Sequence, residues 1–380
     1  MTQSKTKKVL RWLCVSDIHL GHLRTTTEFI LANLERELFD GKIANLDILF
    51  IAGDLFERAL EYNHPSAGSI LLFVDKLITE CHKHGVKLRV LEGTPSHDNK
   101  QNKVFDDVHA LYNFESDMKY VDTLSIEYIE EWDMRILYVP DKIRTTTELV
   151  YTDTLAIFKA TGVEKVDLAI MHGAFSHQLP PMAKQVYDPD QWLALVKHWV
   201  LVGHVHKHSI YSRIAAQGSF DRLCQGEEAP KGYLMGTLNL HGDPRKDEIY
   251  FIENKGAKKY ITIDCSGLCI EDSLCKIESM VLPLPNDSYI RIRAETGNPV
   301  LSNMAEVSKF NLSNFWDKDE QLIDDSQENQ EEDACEDLDT WVPIHIDKSN
   351  ICHVIMERLN SKNHSGQLLQ LAQQFIGQSL

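Results

Sequence analysis

Gly203-His204-Val205-His206 ends the apolar run Trp199–Val202 and places two histidines two residues apart. Four other clusters of ligand-type residues precede it, and each follows an apolar run typical of a buried strand: Asp17-Ile18-His19, Gly53-Asp54, Ser96-His97-Asp98 and His172-Gly173. In open α/β sheets, ligands bind beyond the carboxyl ends of the strands. The five clusters therefore predict one site assembled from loops across a whole domain.

Strands and helices alternate through roughly the first 265 residues, which predicts an α/β fold. Apolar spacing predicts helices over Thr27–Phe39 and Ser69–His84, the second capped by Gly85. The predicted strands are Leu10–Val15, Asp47–Ala52, Val86–Leu91, Arg135–Val139, Asp167–Met171 and Trp199–Val202.

The pattern changes after Gly203. Three segments are typical of consecutive antiparallel strands: Gly232–Leu240, Glu248–Glu253 and Lys259–Asp264. Residues 265–285 are interpreted as a boundary, and Ser288–Ala294 as a strand of a small second domain. We therefore expect a catalytic domain over 1–265, a small cap-like domain over 266–345 and a helical C-terminal segment over 346–380.

The formal net charge is −18, and residues 317–339 alone carry 12 acidic residues and one lysine. This acidic segment is expected to be a disordered tether or, alternatively, a docking site for a basic partner. The remainder is still acidic, which argues against a wide basic face for nucleic acid. The helical segment 346–380 is expected either to pack on its own domain or to dock a partner.

No apolar run is long enough to span a membrane or to act as a secretory signal, so a cytoplasmic protein is expected. The eight cysteines form no C-x-x-C pair, and none has a histidine at zinc-finger spacing. We interpret them as reduced thiols with no metal role.

Carboxylates and imidazoles together suit Mn²⁺, Fe²⁺ or Zn²⁺. Asp17 and His19 are two residues apart at a strand end, so both side chains are expected on one face. Two divalent ions would activate water for attack on phosphorus and neutralise charge in the transition state. Other histidines near the clusters are ambiguous between phosphate contacts and structural roles: His22, His64, His177 and His208.

In their order, D-x-H, G-D, a histidine-bearing turn, H-G and G-H-x-H resemble the calcineurin-like metallophosphoesterases. The resemblance implies a four-layered α/β/β/α sandwich with a di-metal centre, here followed by a small C-terminal cap and a terminal helical segment. A finer likeness is to the SbcD family of DNA repair nucleases. It rests on Asp17-Ile18-His19-Leu20-Gly21, Gly53-Asp54-Leu55-Phe56, and the run Gly218-Ser219-Phe220-Asp221-Arg222 followed by Glu227 or Glu228 and Lys231-Gly232.

The resemblance implies a first metal held by Asp17, His19, Asp54 and His206, and a second held by Asp54, His172 and His204. The family has an asparagine before the catalytic histidine, but Ser96 precedes His97 here. Ser96 would bind the second metal through its hydroxyl, or a water would fill the gap. His97 would stabilise the transition state or protonate the leaving group, with Asp98 orienting it. Arg222 would contact the DNA backbone or form a structural ion pair.

The resemblance further implies a nuclease using two divalent ions, Mn²⁺ foremost with Mg²⁺, Fe²⁺ or Zn²⁺ as alternatives. Its activities would be 3′→5′ exonuclease and single-strand endonuclease, in DNA recombination or repair with an SbcC-like ATPase, as a homodimer without membrane contact. The chain length and the altered turn suggest a phage-encoded or divergent member. The alternatives are a phosphodiesterase of small or cyclic nucleotides and a non-catalytic scaffold or inhibitor of a repair complex.

Overall fold

The computed structural model describes residues 7–61, 63–112, 115–141 and 144–321. Its fifteen strands are β1 (Val9–Val15), β2 (Ile48–Ala52), β3 (Lys87–Leu91), β4 (Met118–Val121), β5 (Ser125–Ile129), β6 (Met134–Val139), β7 (Val166–His172), β8 (Val196–Gly203), β9 (Ser209–Tyr211), β10 (Ile214–Ala216), β11 (Gly232–Asn239), β12 (Glu248–Glu253), β13 (Tyr260–Asp264), β14 (Tyr289–Glu295) and β15 (Phe315–Gln321). Eight α-helices accompany them: α1 (Thr27–Leu38), α2 (Ala67–His84), α3 (Val104–His109), α4 (Thr147–Thr161), α5 (Pro189–Leu195), α6 (Ile270–Val281), α7 (Pro299–Ser302) and α8 (Met304–Val307). The six strands and two helices predicted before Gly203 are all present, within a few residues of the expected bounds.

Two six-stranded sheets form the main body. The first has the strand order β12-β11-β1-β2-β3-β4, and the second β5-β6-β7-β8-β10-β9. In the first sheet β1 to β4 are parallel, whereas β11 pairs antiparallel with both β1 and β12. In the second, β6, β7, β8 and β10 are parallel. The parallel strands therefore end at a common edge in each sheet.

Alternating side chains of β1 show how the layers pack. Trp12 and Cys14 join a core that contains Ile136 and Tyr138 of the second sheet, so this core lies between the sheets. Leu13 belongs to another core, which contains residues of α1, α2 and α3. A third core packs the second sheet against α4 and α5. The result is the expected four-layered α/β/β/α sandwich.

Helix α2 shows why the outer layer is stable. Its buried residues Ile70, Phe73, Leu77 and Cys81 recur at helical spacing and face the first sheet. The helix ends at Gly85 in the left-handed conformation, with φ of 66°, as predicted from its glycine. This helix lies in the connection between β2 and β3, because two parallel strands need a long crossover, usually a helix.

The structure corrects the prediction for Lys259–Asp264. Strand β13 does not continue an antiparallel series after β12; it pairs in parallel with β14 in a separate sheet of order β13-β14-β15. The residues interpreted as a boundary contain α6, which makes the crossover between those parallel strands. Alternation of apolar and polar residues identifies a strand but not the strand it pairs with. The prediction therefore placed β13 in the wrong sheet.

The first residues of the acidic segment form part of a strand, although disorder was expected. Residues 317–321 belong to strand β15, which pairs in parallel with β14. Across these strands Asp319 Oδ2 lies 2.7 Å from Arg293 Nε, and Asp317 Oδ2 lies 4.0 Å from Arg291 Nε. Cross-strand pairs of opposite charge stabilise a sheet. The rest of the acidic segment and the predicted helical segment 346–380 lie outside the described residues. Among the described helices, none is long and apolar enough to cross a membrane.

Candidate metal centre

Four of the predicted ligands lie in loops with unusual backbone conformations. The φ angles of Asp17, His19, Asp54 and His204 are 51°, 57°, 50° and 105°. Positive φ is uncommon outside glycine, costs about 1 kcal/mol or more per residue, and concentrates at functional sites. The expected common face of Asp17 and His19 therefore does not come from strand pleating, because β1 ends at Val15 and the following backbone turns.

Gly53 makes the Asp54 turn possible. Its φ is 88°, and a β-carbon there would overlap the Nδ1 atom of His172 and the backbone of Gly93. A side chain at this position would push the loops after β2, β3 and β7 apart. The glycine of the G-D motif is therefore required by close packing as well as by backbone conformation.

The first ligand group contains Asp17, His19 and His206. The Nε2 atoms of the two histidines are 3.0 Å apart, and His206 Nε2 is 3.8 Å from Asp17 Oδ1. Two ligands bound at about 2.1 Å to one ion, at roughly a right angle, are about 3.0 Å apart. The spacing therefore fits side chains that share one divalent ion.

The second ligand group contains Asp54, His172 and His204. Asp54 Oδ2 lies 3.1 Å from His172 Nε2, and both residues are buried. Burial alone would raise the pKa of Asp54, but the neighbouring His172 holds it well below its usual range. Burial and the charge of His172 lower the pKa of His204, which favours the neutral ring that a metal requires.

Thr94 completes the second group, a residue that the sequence did not single out. Its hydroxyl lies 3.1 Å from Asp54 Oδ2, 3.3 Å from His172 Nε2 and 3.4 Å from His204 Nδ1. Ser96, the predicted replacement for the family's asparagine, is instead exposed. The structure therefore places Ser96 outside the second group, because the turn is two residues longer and the first residue after Gly93 lies there instead. The predicted ligand was chosen as the residue before His97. Choosing the residue after Gly93 instead would have identified Thr94.

Backbone and carboxylate acceptors orient the imidazole rings. His172 Nδ1 donates to the Ala52 carbonyl at 2.7 Å, which leaves Nε2 facing Asp54. His206 Nδ1 donates to Glu227 Oε1 at 2.6 Å, which leaves Nε2 facing His19. Such outer contacts fix the tautomer of a metal-binding histidine. The structure thus identifies Glu227, and not Glu228, as the glutamate that contacts a candidate ligand.

The run from Gly218 to Lys231 supports His206 from inside the protein. The buried Lys231 ammonium lies 3.3 Å from Glu227 and donates to the His206 carbonyl at 2.9 Å. The Ser219 backbone N–H donates to the same carbonyl at 3.1 Å. This run therefore positions a candidate ligand, which is a role independent of DNA.

Arg222 does not lie where it was expected to meet DNA. It is 6% exposed, and its guanidinium donates to the carbonyls of Lys258 and Glu228 at 3.3 and 3.2 Å. The predicted substrate contact is thus contradicted by burial, and the structural reading is favoured. Its partners are backbone carbonyls, however, rather than the ion-pair partner suggested by the sequence.

His97 lies beside the first group. Its ring centroid is 4.9 Å from that of His19, and its Nδ1 donates to the Glu57 carbonyl at 2.6 Å. Glu57, another residue not singled out by the sequence, places its carboxylate 2.8 Å from His19 Nδ1. Glu57, His19 and His97 form a third group whose ligand atoms could hold a cation.

Asp98 has a different role from the one predicted. Its carboxylate accepts the backbone N–H groups of Asp54, Phe56 and Gly93 at 2.7–3.0 Å, and the amide of Asn102 at 2.7 Å. Burial, followed by the charge of Asp54, raises its pKa to about 8. Asp98 therefore joins the loops after β2 and β3, while the Glu57 carbonyl orients His97. The prediction failed because adjacency in sequence does not make two side chains contact.

The four ambiguous histidines have local contacts. His22 Nδ1 accepts the backbone N–H of Thr25 at 3.0 Å, and His64 Nδ1 accepts that of Ser66 at 3.2 Å. His208 Nδ1 donates to the Ala216 carbonyl at 2.7 Å, and His177 stacks on Tyr211 with ring centroids 4.5 Å apart. These contacts favour structural roles for the four rings.

Comparison with known proteins gives one informative relative. The DNA double-strand break repair protein Mre11 of Methanopyrus kandleri is 34% identical to this chain over 295 residues. The match covers 70% of this chain but 61% of that protein, so the chain spans less than two thirds of its relative. No protein-family model matches the chain.

Solved structures give weaker likenesses. The structure of GAP50, the anchor in the inner membrane complex of Plasmodium, has a TM-score of 0.39 and 12% identity, and covers 66% of this chain and 86% of that one. Another crystal structure has a TM-score of 0.38 and 14% identity, and covers 64% of this chain and 100% of its own. At these TM-scores and identities, neither structure supports a conclusion about this chain.

Proposed function

Because the chain belongs to the calcineurin-like metallophosphoesterases of the SbcD/Mre11 type, we propose that it is a divalent-metal-dependent DNA nuclease. One observation carries the proposal: two largely buried groups of ligand-type residues lie at the loops where the sheets end, and His97 lies beside His19 of the first group. The relative's role in DNA double-strand break repair supports DNA as the substrate. Mn²⁺ is the proposed ion.

The donor set fits two divalent ions. Asp17, His19 and His206 would hold one, and Asp54, His172, His204 and Thr94 the other, with Asp54 as the proposed bridge. Carboxylates, imidazoles and a hydroxyl suit Mn²⁺, while Mg²⁺, Fe²⁺ and Zn²⁺ remain alternatives within the same donor chemistry. When bound, two ions supply an activated water and neutralise charge on phosphate.

The protein's own groups would then position the reaction. Ala52 and Glu227 hold His172 and His206 in the tautomers that present Nε2 to the site. His97, oriented by the Glu57 carbonyl, is the proposed donor of a proton to the leaving oxygen, or a hydrogen-bond donor to the transition state. No covalent enzyme intermediate is required.

Finer aspects of the activity are proposed from the family likeness. They are 3′→5′ exonuclease and single-strand endonuclease activity, action with an SbcC-like ATPase, homodimer formation and a cytoplasmic location. Residues 346–380 are the proposed ATPase-docking segment, and residues 266–345 the proposed cap.

A small-molecule phosphodiesterase is the second candidate. Two observations favour it: the formal charge of −18, and the burial of Arg222, which removes the expected contact with the DNA backbone. A phosphodiester without a long polyanionic chain would experience less repulsion from such a protein.

The deciding experiment incubates the full chain with Mn²⁺ and either end-labelled linear duplex DNA or a chromogenic phosphodiester. Cleavage of DNA with release of label from the 3′ end supports the nuclease, and cleavage of only the small ester supports the alternative. His97→Gln should abolish DNA cleavage, whereas the surface variant His84→Asn on α2 should retain it. Full activity in Asp54→Asn would refute the metal-centre assignment, and inactivity of the natural chain on both substrates would support a scaffold.

A further inference from the structure

A ladder of three stacked aromatic rings crosses the small sheet. Tyr260, Tyr289 and Phe315 are in register on β13, β14 and β15. The ring centroids of Tyr260 and Tyr289 are 4.6 Å apart at 5°, and those of Tyr289 and Phe315 are 4.5 Å apart at 15°. Tyr260 is buried, but Phe315 is 48% exposed at the outer edge. The ladder thus ends on an open aromatic face.

Cations flank this ladder although the protein is acidic overall. The Arg24 guanidinium is 5.9 Å from the centre of the Tyr289 ring, and the Lys258 ammonium is 5.7 Å from the same centre. The Tyr289 hydroxyl also donates to the Arg24 carbonyl at 3.3 Å. Aromatic rings beside Arg and Lys are the combination that single-stranded nucleic acid uses, with bases on rings and phosphates on cations.

A cleft shares one lining residue with the ladder's surroundings and one with the candidate metal centre. It has a volume of about 190 Å³ and is lined by Arg24, Arg58 and Glu57, with the exposed Leu23 at its side. Glu57 belongs to the group with His19 and His97, and Arg24 belongs to the ladder. The cleft therefore has Glu57 of the candidate metal centre, Arg24 of the ladder and a second arginine, Arg58, in its lining.

We propose that the ladder ending at Phe315 is a stacking platform for unpaired bases of single-stranded DNA whose backbone passes Arg24 and Arg58 toward the metal centre. This inference rests on the proposed nuclease function, since it identifies the strand state of the substrate. A base inside a duplex is already stacked on both sides, so away from duplex ends only an unpaired base can use the exposed ring. The ion pairs of Arg291 and Arg293 with Asp317 and Asp319 cover the rest of this sheet face and leave the ladder as its aromatic part.

The test measures DNA binding without metal, so it does not depend on catalysis. The full chain in EDTA is titrated into a fluorescent oligo-dT of about 12 nucleotides, within the range of known single-strand sites. Phe315→Ala should weaken binding about 5- to 100-fold, the range for one lost base stack. Phe315→Trp keeps an aromatic ring at this position and should bind oligo-dT like the natural protein. The matched control, Tyr250→Ala, removes a similarly exposed aromatic ring from strand β12 and should bind like the natural protein.

Two further readouts separate stacking from a structural effect. A 2-aminopurine base in the oligonucleotide should be quenched by the natural protein and not by Phe315→Ala, while thermal midpoints stay equal. Covalently closed circular duplex DNA, which has no open base-pair face, should bind both proteins alike. Equal oligo-dT affinity of the two proteins, an equal loss in Tyr250→Ala, or tighter binding of oligo-U than oligo-dT would overturn the proposal. If the natural protein shows this binding pattern but does not cleave DNA when Mn²⁺ is supplied, the nuclease function would be refuted while the stacking platform would stand.

Discussion

Replacing Lys231 with methionine should destabilise the metal-free protein. The Lys231 side chain is 2% exposed, and its ammonium contacts Glu227 at 3.3 Å and the His206 carbonyl at 2.9 Å. Methionine has a similar length, so the cavity effect is small and the lost charge dominates. The variant would leave the Glu227 carboxylate buried with less compensation.

The magnitude follows from the remaining partners of Glu227. Removing one member of a buried ion pair costs about 3–5 kcal/mol. Glu227 keeps the His206 ring at 2.6 Å and the Leu223 backbone N–H at 2.8 Å, so we expect the lower limit of about 3 kcal/mol. At about 2–4 °C per kcal/mol, the thermal midpoint should fall by about 6–12 °C.

Urea and thermal unfolding in EDTA, followed by circular dichroism, measure this effect. The double variant Lys231→Met/Glu227→Gln should lose about 1–2 kcal/mol less unfolding free energy than the sum of the losses in the two single variants, because the two charges interact. Lys309→Met removes an exposed partner of Glu306 and should change stability by less than about 0.5 kcal/mol. A Lys231→Met protein of natural stability that binds DNA weakly would refute the reasoning and place this lysine at the substrate.

The other predictions concern the second ligand group, the core and acid stability. Thr94→Val should weaken binding of the second Mn²⁺ by about 10-fold or more in calorimetric titration, as lost contacts at a metal site do. Thr94→Ser keeps the hydroxyl and should retain the affinity. Equal Mn²⁺ affinities of the natural protein and Thr94→Val would remove Thr94 from the site. Phe73→Ala should lower the free energy of unfolding by about 3–5 kcal/mol, because Phe73 is 1% exposed in the core beneath α2; a loss below 1 kcal/mol in urea titration would contradict this packing. Burial raises the pKa of Glu127, but the hydrogen bonds and charge of Arg89 outweigh it and lower that pKa. The stabilisation from Glu127 is therefore present above its unfolded pKa of about 4.3 and lost as pH falls below it, so Glu127→Gln should flatten the decline of stability in acid; a parallel decline would count against this pair.

Sequence patterns located most of the site because apolar strands have a simple signature. The buried runs of β1, β2, β3, β7 and β8 each lead into ligand-type residues, and parallel strands bring those residues to one edge. The separate groups containing His204 and His206 agree with the assignment of these neighbours to different ions. Their roles as ligands remain predictions.

The failures lie in the turn after β3 and in the segments after β12. Spacing cannot show that two extra residues carry Ser96 to the surface and leave Thr94 inside. Nor can it show that Asp98 turns away from His97 toward backbone N–H groups, since loop dihedrals decide that direction.

By itself the sequence determined the α/β class and the order of the ligand-type clusters, because periodicity and residue type are local properties, and the sandwich was what the family likeness of those clusters implied. Tertiary structure alone decided that Thr94, Glu57 and Glu227 join the site and that Arg222 is buried. It also decided that β13 pairs with β14, so that Tyr260, Tyr289 and Phe315 stack beside Arg24. These relations depend on contacts between segments far apart in the chain, set by positive-φ turns and sheet pairing that no local pattern records.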